Sequence, residues 1–162
     1  MEVQLDGEIK LTYSQQASKL LGKPYWYLND AVKVSMRSFD YHFEFEIPQG
    51  YLTDGATVPR FLWSFVPLWD ECTMPVVIHD YLCNERLITI NNQPRYIDRV
   101  TADNLFLAAM EFQGISKMKR FIIYNSVRLH SRMFNHKVPF YPDQKKEMER
   151  LIRINIAEGY YK

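Results

Sequence analysis

The segment His42–Ile47 alternates Phe43, Phe45 and Ile47 with His42, Glu44 and Glu46, so that one face can be buried and the other wet. A period of two residues marks a half-buried β-strand; a helix would scatter the same side chains around its axis. From about residue 73 onward the apolar residues recur every third or fourth position instead, which is the helical period. This change of period predicts an α+β protein in which a small N-terminal antiparallel β-sheet packs against a mainly helical C-terminal half. A chain of 162 residues has the size of one domain and can bury roughly two thirds of its unfolded surface. No repeat, low-complexity tract or linker divides it. A single domain over residues 1–162 is therefore expected, strand-rich over about 1–55 and helix-rich over about 58–158.

Further strands are expected at Val3–Ile9, Tyr25–Leu28 and Ala31–Met36, the last two joined as a hairpin by the turn pair Asn29-Asp30. Ser14–Lys23 reads as a polar connection and Pro48-Gln49-Gly50 as a turn. Pro59 opens a short apolar helix over Arg60–Phe65. Thr73 is placed to cap a helix from about Met74 to Arg86, with Pro75 in its tolerant first turn. Asn91-Asn92-Gln93-Pro94 reads as a loop. The next helix runs from about Asp98 to Gln113 and stops at Gly114. Ser116 caps a longer one reaching about Phe134. Because that helix is apolar on more than one side, it is expected to be the central buried one. Pro139 to Pro142 breaks the chain before a last amphipathic helix, about Asp143–Ala157.

The net charge of +1 lacks the clustered positive charge of a general nucleic-acid binder, and the basic stretch Lys117–Arg132 reads as a solvated helix face. Two cysteines, Cys72 and Cys83, with no paired spacing point to a reducing compartment. The start MEVQLDGEIK carries acids where a secretory leader needs a basic region, and no window approaches the roughly twenty apolar residues of a membrane span. A cytosolic protein without a membrane segment is expected.

Three segments could carry chemistry. Thr53, Asp54 and Gly55 form a turn directly after a strand, where Asp54 can cap the following helix or project into a pocket. His79 and Asp80 lie on the helix after Thr73, away from the middle of its apolar face, with Cys83 one turn further on. His, Asp and Cys are competent metal ligands, yet one His and one Cys four residues apart fall short of a zinc signature. Asp103 is the most informative position, since it shares its face with Phe106, Leu107 and Met110. Stranding a charge at low dielectric costs several kcal/mol, so Asp103 must find a partner among Arg99, Arg60, Arg128 and His79. Each segment also has a plain structural reading: a cap, a polar helix face and a buried Asp–Arg tie. His42 falls on the wet face of its strand, and Asn125 is expected to make a buried hydrogen bond. No Walker loop, GxGxxG, HExxH, GxSxG or CxxC occurs.

The string Leu52-Thr-Asp-Gly-Ala-Thr-Val-Pro-Arg60, then His79-Asp-Tyr-Leu82, then Arg99 with Ala102-Asp103, Phe106 and Ala109-Met110, and finally Tyr124 with Val127-Arg128, resembles a family of uncharacterised proteins encoded by tailed bacteriophages and prophages. They carry a domain of unknown function. The resemblance covers roughly Phe45 to Arg128. Thr57 stands where the family usually has Ser, which keeps the hydroxyl, and Cys83 stands where an aromatic is common. The resemblance implies a phage or prophage origin, and it groups Asp54, His79, Asp80 and Asp103 as the polar signature.

Three functions fit these residues. The first is a small hydrolase in which His79 is general base or metal ligand, Asp103 or Asp54 orients it, and Asp80 supplies a second carboxylate. Thr53, Arg60 and Arg99 would then hold the substrate, Arg60 through its guanidinium fork. A divalent metal such as zinc would take its ligands from His79, Asp80, Asp54 and Asp103. The second is a non-catalytic tail or baseplate component whose partners are other virion proteins. The third is a binder of a small molecule or host-defence protein. The expected location is the host cytoplasm, with packaging into the virion under the second reading.

Overall fold

The strand His42–Ile47 pairs antiparallel with Val32–Arg37, and the register sets Val32 against Ile47, Val34 against Phe45 and Met36 against Phe43, all buried. That pairing is the centre of the larger of two sheets. The computed structural model describes residues 1–55, 71–134 and 143–161. In chain order the elements are β1 (Glu2–Asp6), β2 (Leu11–Tyr13), α1 (Gln15–Leu21), β3 (Trp26–Leu28), β4 (Val32–Arg37), β5 (His42–Ile47) and β6 (Leu52–Thr53). They continue with α2 (Thr73–Glu85), β7 (Leu87–Ile90), β8 (Gln93–Tyr96), α3 (Arg99–Phe112), α4 (Lys117–Phe134) and α5 (Asp143–Ala157). The short helix expected over residues 60–65, Arg60 itself and the break over residues 139–142 lie outside the described residues.

The expectation of a small, N-terminal sheet is overturned. The larger sheet has the order β1-β4-β5-β7-β8, and its last two strands come from mid-chain, beyond α2. A second sheet, β2-β3-β6, stands apart from it. The segment read as a loop over residues 91–94 is a hairpin turn plus the start of β8. Asn91 and Asn92 hold φ of 49° and 63°, the left-handed pair that a two-residue turn with the right strand twist requires. β8 is exposed along its whole length, so it has no apolar alternation to reveal it.

Two other expectations change for local reasons. β3 and β4 do not form a hairpin: β3 joins the second sheet while β4 joins the first, and Asn29 ties the link by donating its N–H to Lys10 O at 2.9 Å. Ser14–Lys23 is not a connection but contains α1, capped by Ser14 Oγ accepting from Ala17 N–H and closed by Gly22 at φ 74°. The turn expected at Pro48-Gln49-Gly50 is present, with Tyr51 N–H reaching Pro48 O at 3.1 Å. Gly50 sits at φ 77°, where a Cβ would meet Arg153 Cγ at 3.0 Å.

Among the described residues the central helix is α2, not α4. Met74, Pro75, Val76, Val77, Ile78, His79 and Leu82 of α2 are all buried. Cys72, rather than Thr73, stands at its N-cap, without a side-chain capping bond. Met74, Val77, Ile78 and Leu82 pack against the inner face of the large sheet and against Ala102, Leu105 and Ala109 of α3. Cys72 and Val76 pack with Phe106 and Met110 of α3 and with Ile123 and Val127 of α4. A third cluster joins Ala17, Tyr25, Tyr27 and Leu52 to Met148 and Ile152 of α5. In α4 only one side is covered among the described residues: Met118, Phe121, Ile122 and Leu129 are exposed, and Asn125 bonds Phe121 O in the open.

Candidate functional site

α2 passes between the β6 side of the fold and the α3–α4 pair, and consecutive residues on a helix point about 100° apart. His79 therefore faces α3 and α4, while its neighbour Asp80 faces β6. The four signature residues are thereby shared between two polar groupings.

The first grouping is organised by Asp103. A carboxylate placed on the buried stripe of α3 needs cations, and three converge on it. His79 Nε2 lies 2.8 Å from Oδ1, Arg99 Nε, one turn earlier on α3, lies 3.3 Å from the same oxygen, and Arg128 Nη1 of α4 donates to Oδ2 at 3.0 Å. Ser131 Oγ reaches Oδ2 at 3.5 Å. Neither His79 nor Asp103 has any exposed surface as a residue. The imidazole also lies against Phe106, ring centroids 4.7 Å apart.

Burial by itself would raise the Asp103 carboxyl, but the hydrogen bond and charge of His79, then Arg128 and Arg99, hold it below its ordinary value. An ionised carboxylate can only accept, so Nε2 of His79 carries the proton of their hydrogen bond. Cys83 Sγ, 3.4 Å from the same nitrogen, is then a second acceptor on that N–H. Burial pulls the His79 imidazole down, while the sulfur of Cys83 and the Asp103 carboxylate pull it up. The upward pull wins, to about 9, with Arg99 opposing.

The second grouping reaches solvent. Thr53, itself buried, donates its hydroxyl to Asp80 Oδ2 at 2.5 Å, and Asp54, next along the chain, forms an ion pair with Lys23. Below them lies a pair with no counterpart in the sequence expectations, Lys145 and Glu149, one turn apart on α5 and both buried. Glu149 Oε1 accepts the N–H of Leu52 at 2.9 Å, which fixes β6 to α5. Lys145 Nζ sits 3.7 Å from the same oxygen and 4.4 Å from the centroid of the Tyr51 ring. Burial lowers the Lys145 ammonium, and Glu149, then Asp80 and Asp54, offset that only in part. The signal was present in the sequence: positions 145 and 149 fall on the same helical stripe as Met148, Ile152 and Ile156.

Among the described residues, His79 and Asp103 do not suit the divalent metal considered from the sequence. Two guanidinium groups on Asp103 oppose a dication there, and Nε2 of His79 holds a proton instead of a free pair. Among the described residues no three His, Cys, Asp or Glu side chains converge as ligands. Of the residues expected to hold a substrate, Thr53 serves Asp80 and Arg99 serves Asp103, while Arg60 lies outside the described residues.

Residues 26–127 match the model of a family described as a protein of unknown function, DUF1353. No curated protein and no solved structure matches the chain.

Proposed function

This chain belongs to the DUF1353 family, and on that premise we propose that it is a non-catalytic accessory protein of a tailed bacteriophage or prophage, acting through its surfaces, with Asp54, His79, Asp80 and Asp103 as internal ties. The observation that carries this reading is the sealing of His79 and Asp103, both without exposed surface, around a carboxylate whose two oxygens are held by His79, Arg99 and Arg128. A hydrolytic base must touch the water it activates, within hydrogen-bond reach. An imidazole packed on Phe106 and bonded to Asp103 through its protonated nitrogen instead joins α2 to α3. A virion protein partner suits this reading, and no helix among the described residues is long and apolar enough to cross a membrane.

Acylation of histidines by diethylpyrocarbonate, followed by peptide mapping, tests the reading. His42 and His130, which reach the surface, should react in the native protein, and His79 only after unfolding. His79→Gln should melt several degrees lower, since about 1 kcal/mol corresponds to roughly 2–4 °C in a protein of this size. Native-state acylation of His79 at the rate of His130, or a His79→Gln protein with unchanged melting, would return the hydrolase.

A further inference from the structure

α4 has two apolar sides, and among the described residues only one is covered. Ile123 and Val127 are buried against α2 and α3. On the far side Met118, Phe121, Ile122, Leu129 and Met133 are 75, 71, 41, 60 and 69% exposed. Positions 118, 122, 125, 129 and 133 advance by three or four residues at a time and so form one stripe, with Asn125 at its middle. Monomeric proteins rarely leave a contiguous apolar stripe of this kind in water.

We propose that this stripe is a homodimer interface, in which α4 packs antiparallel against α4 of a second copy about a two-fold axis beside Asn125 and Ser126. The order of residues is self-complementary about that point: Met118 stands opposite Met133, Ile122 opposite Leu129, and Asn125 opposite Ser126. A two-fold interface uses the same patch on both copies, so the apolar residues of the stripe must find apolar ones across it, and Met118, Ile122, Leu129 and Met133 do. The polar pair falls at the centre, where a polar residue fixes register. Antiparallel helices also set their macrodipoles head to tail.

Phe121 supplies the asymmetric feature of the surface. It belongs to the adjacent row 121, 125, 128, 132, and a two-fold axis keeps that row on one side of the helix pair. Phe121 of the second copy therefore arrives level with residue 130. There the first copy has a groove of about 390 Å³ lined by Tyr124, Asn125, Arg128, Leu129 and Arg132. A phenyl ring has the apolar body for Leu129 and the electron-rich face for Arg132.

Charge and area favour a second copy over a lipid surface. α4 carries Lys117, Lys119, Arg120, Arg128 and Arg132 and no acid. Three of these cations are matched by acids of the same chain, Lys119 by Glu71, Arg120 by Glu111 and Arg128 by Asp103. The helix thus does not present the dense positive flanks of a membrane-surface helix. Five large side chains exposed to this degree hold on the order of several hundred Å² per copy, so two copies approach the roughly 1,200 Å² at which specific interfaces begin.

Sedimentation velocity on the full chain tests the proposal. A concentration-dependent dimer is expected, with Phe121→Glu and Ile122→Lys each weakening it at least tenfold while leaving the melting of the diluted protein unchanged. Register is read by oxidising Met118→Cys and Met133→Cys proteins: a cross-link should form between the two variants when mixed, and in neither alone beyond the wild-type background. A chain that stays monomeric, a dimer indifferent to Phe121→Glu, or Met118→Cys cross-linking to itself overturns the proposal. A monomer that floats with anionic phospholipid vesicles overturns it in favour of a lipid surface.

Discussion

Asp103 is a single negative charge with three cationic groups of the described residues around it, and His79, pulled up by Cys83 and by Asp103, links stability to pH. The imidazole is raised in the folded protein from 6.5 to about 9. A raised group stabilises the fold fully below its unfolded value and loses that contribution as pH climbs through the folded one. The Asp103 carboxyl is lowered, so its contribution is present above its ordinary value of 3.8 and lost only in stronger acid. Melting temperature followed by circular dichroism should therefore fall between about pH 6.5 and pH 9, and the His79→Gln protein should lack that share of the fall. Parallel pH profiles in the two proteins would mean that His79 carries no proton-linked stability. The demand for a partner at Asp103 was legible in the sequence, because Phe106 and Met110 mark its face as core, and three of the candidate partners, Arg99, Arg128 and His79, are found on it, the fourth, Arg60, lying outside the described residues. Lys145 and Glu149 obey the same rule on α5, but an acid and a base one turn apart suit a solvated surface pair just as well. What separates them from such a pair is the Tyr51 ring beneath Lys145 and the Leu52 N–H on Glu149, contacts made across more than ninety residues of chain.

The β7–β8 hairpin shows what patterning cannot see in an element. Its strands carry Leu87-Ile-Thr-Ile90 and Gln93-Pro-Arg-Tyr96, and only Ile88 is buried. Its place in the sheet comes from pairing with β5 across the whole of α2, Phe43 against Ile90 and Glu44 against Thr89. Asn91 then clasps the neighbouring β4–β5 turn. Its Oδ1 accepts from His42 N–H at 2.7 Å, its Nδ2 donates to Asp40 O at 3.0 Å, and its own N–H reaches His42 O at 2.9 Å. Asn91→Gly keeps the left-handed backbone but removes both side-chain bonds, so urea unfolding should show a loss of about 1–2 kcal/mol. Asn92→Gly removes only strain at φ 63° and should stay within about 0.5 kcal/mol of wild type. Equal stability of the two variants would dissolve the clasp. α4 misleads in the opposite direction: Met118, Phe121, Ile122 and Leu129 follow a helical period as well as any core stripe, and period alone does not tell a covered face from one left for another molecule.

On the scale of the molecule, the segments outside the family match are structural parts rather than appendages. β1 lies before residue 26 and pairs along β4 from Glu2 against Arg37 to Asp6 against Lys33. The third core cluster draws Ala17, Tyr25, Met148 and Ile152 from outside residues 26–127, leaving Tyr27 and Leu52 inside. Arg128, which closes the second oxygen of Asp103, falls one residue beyond the match. A chain cut to residues 26–127 would expose β4 as an unpaired edge, open Tyr27 and Leu52 to water and leave Asp103 with fewer cations at low dielectric, where an uncompensated charge is costly. The loss of buried area also lowers the slope of denaturant unfolding, which scales with the surface exposed. The cut chain is thus expected to give a broad, shallow urea curve instead of the single sigmoid of the full chain. If residues 26–127 instead unfold in one sharp transition near the midpoint of the full chain, the flanking segments are dispensable, and the tie from β6 through Glu149 to α5 contributes nothing to the fold.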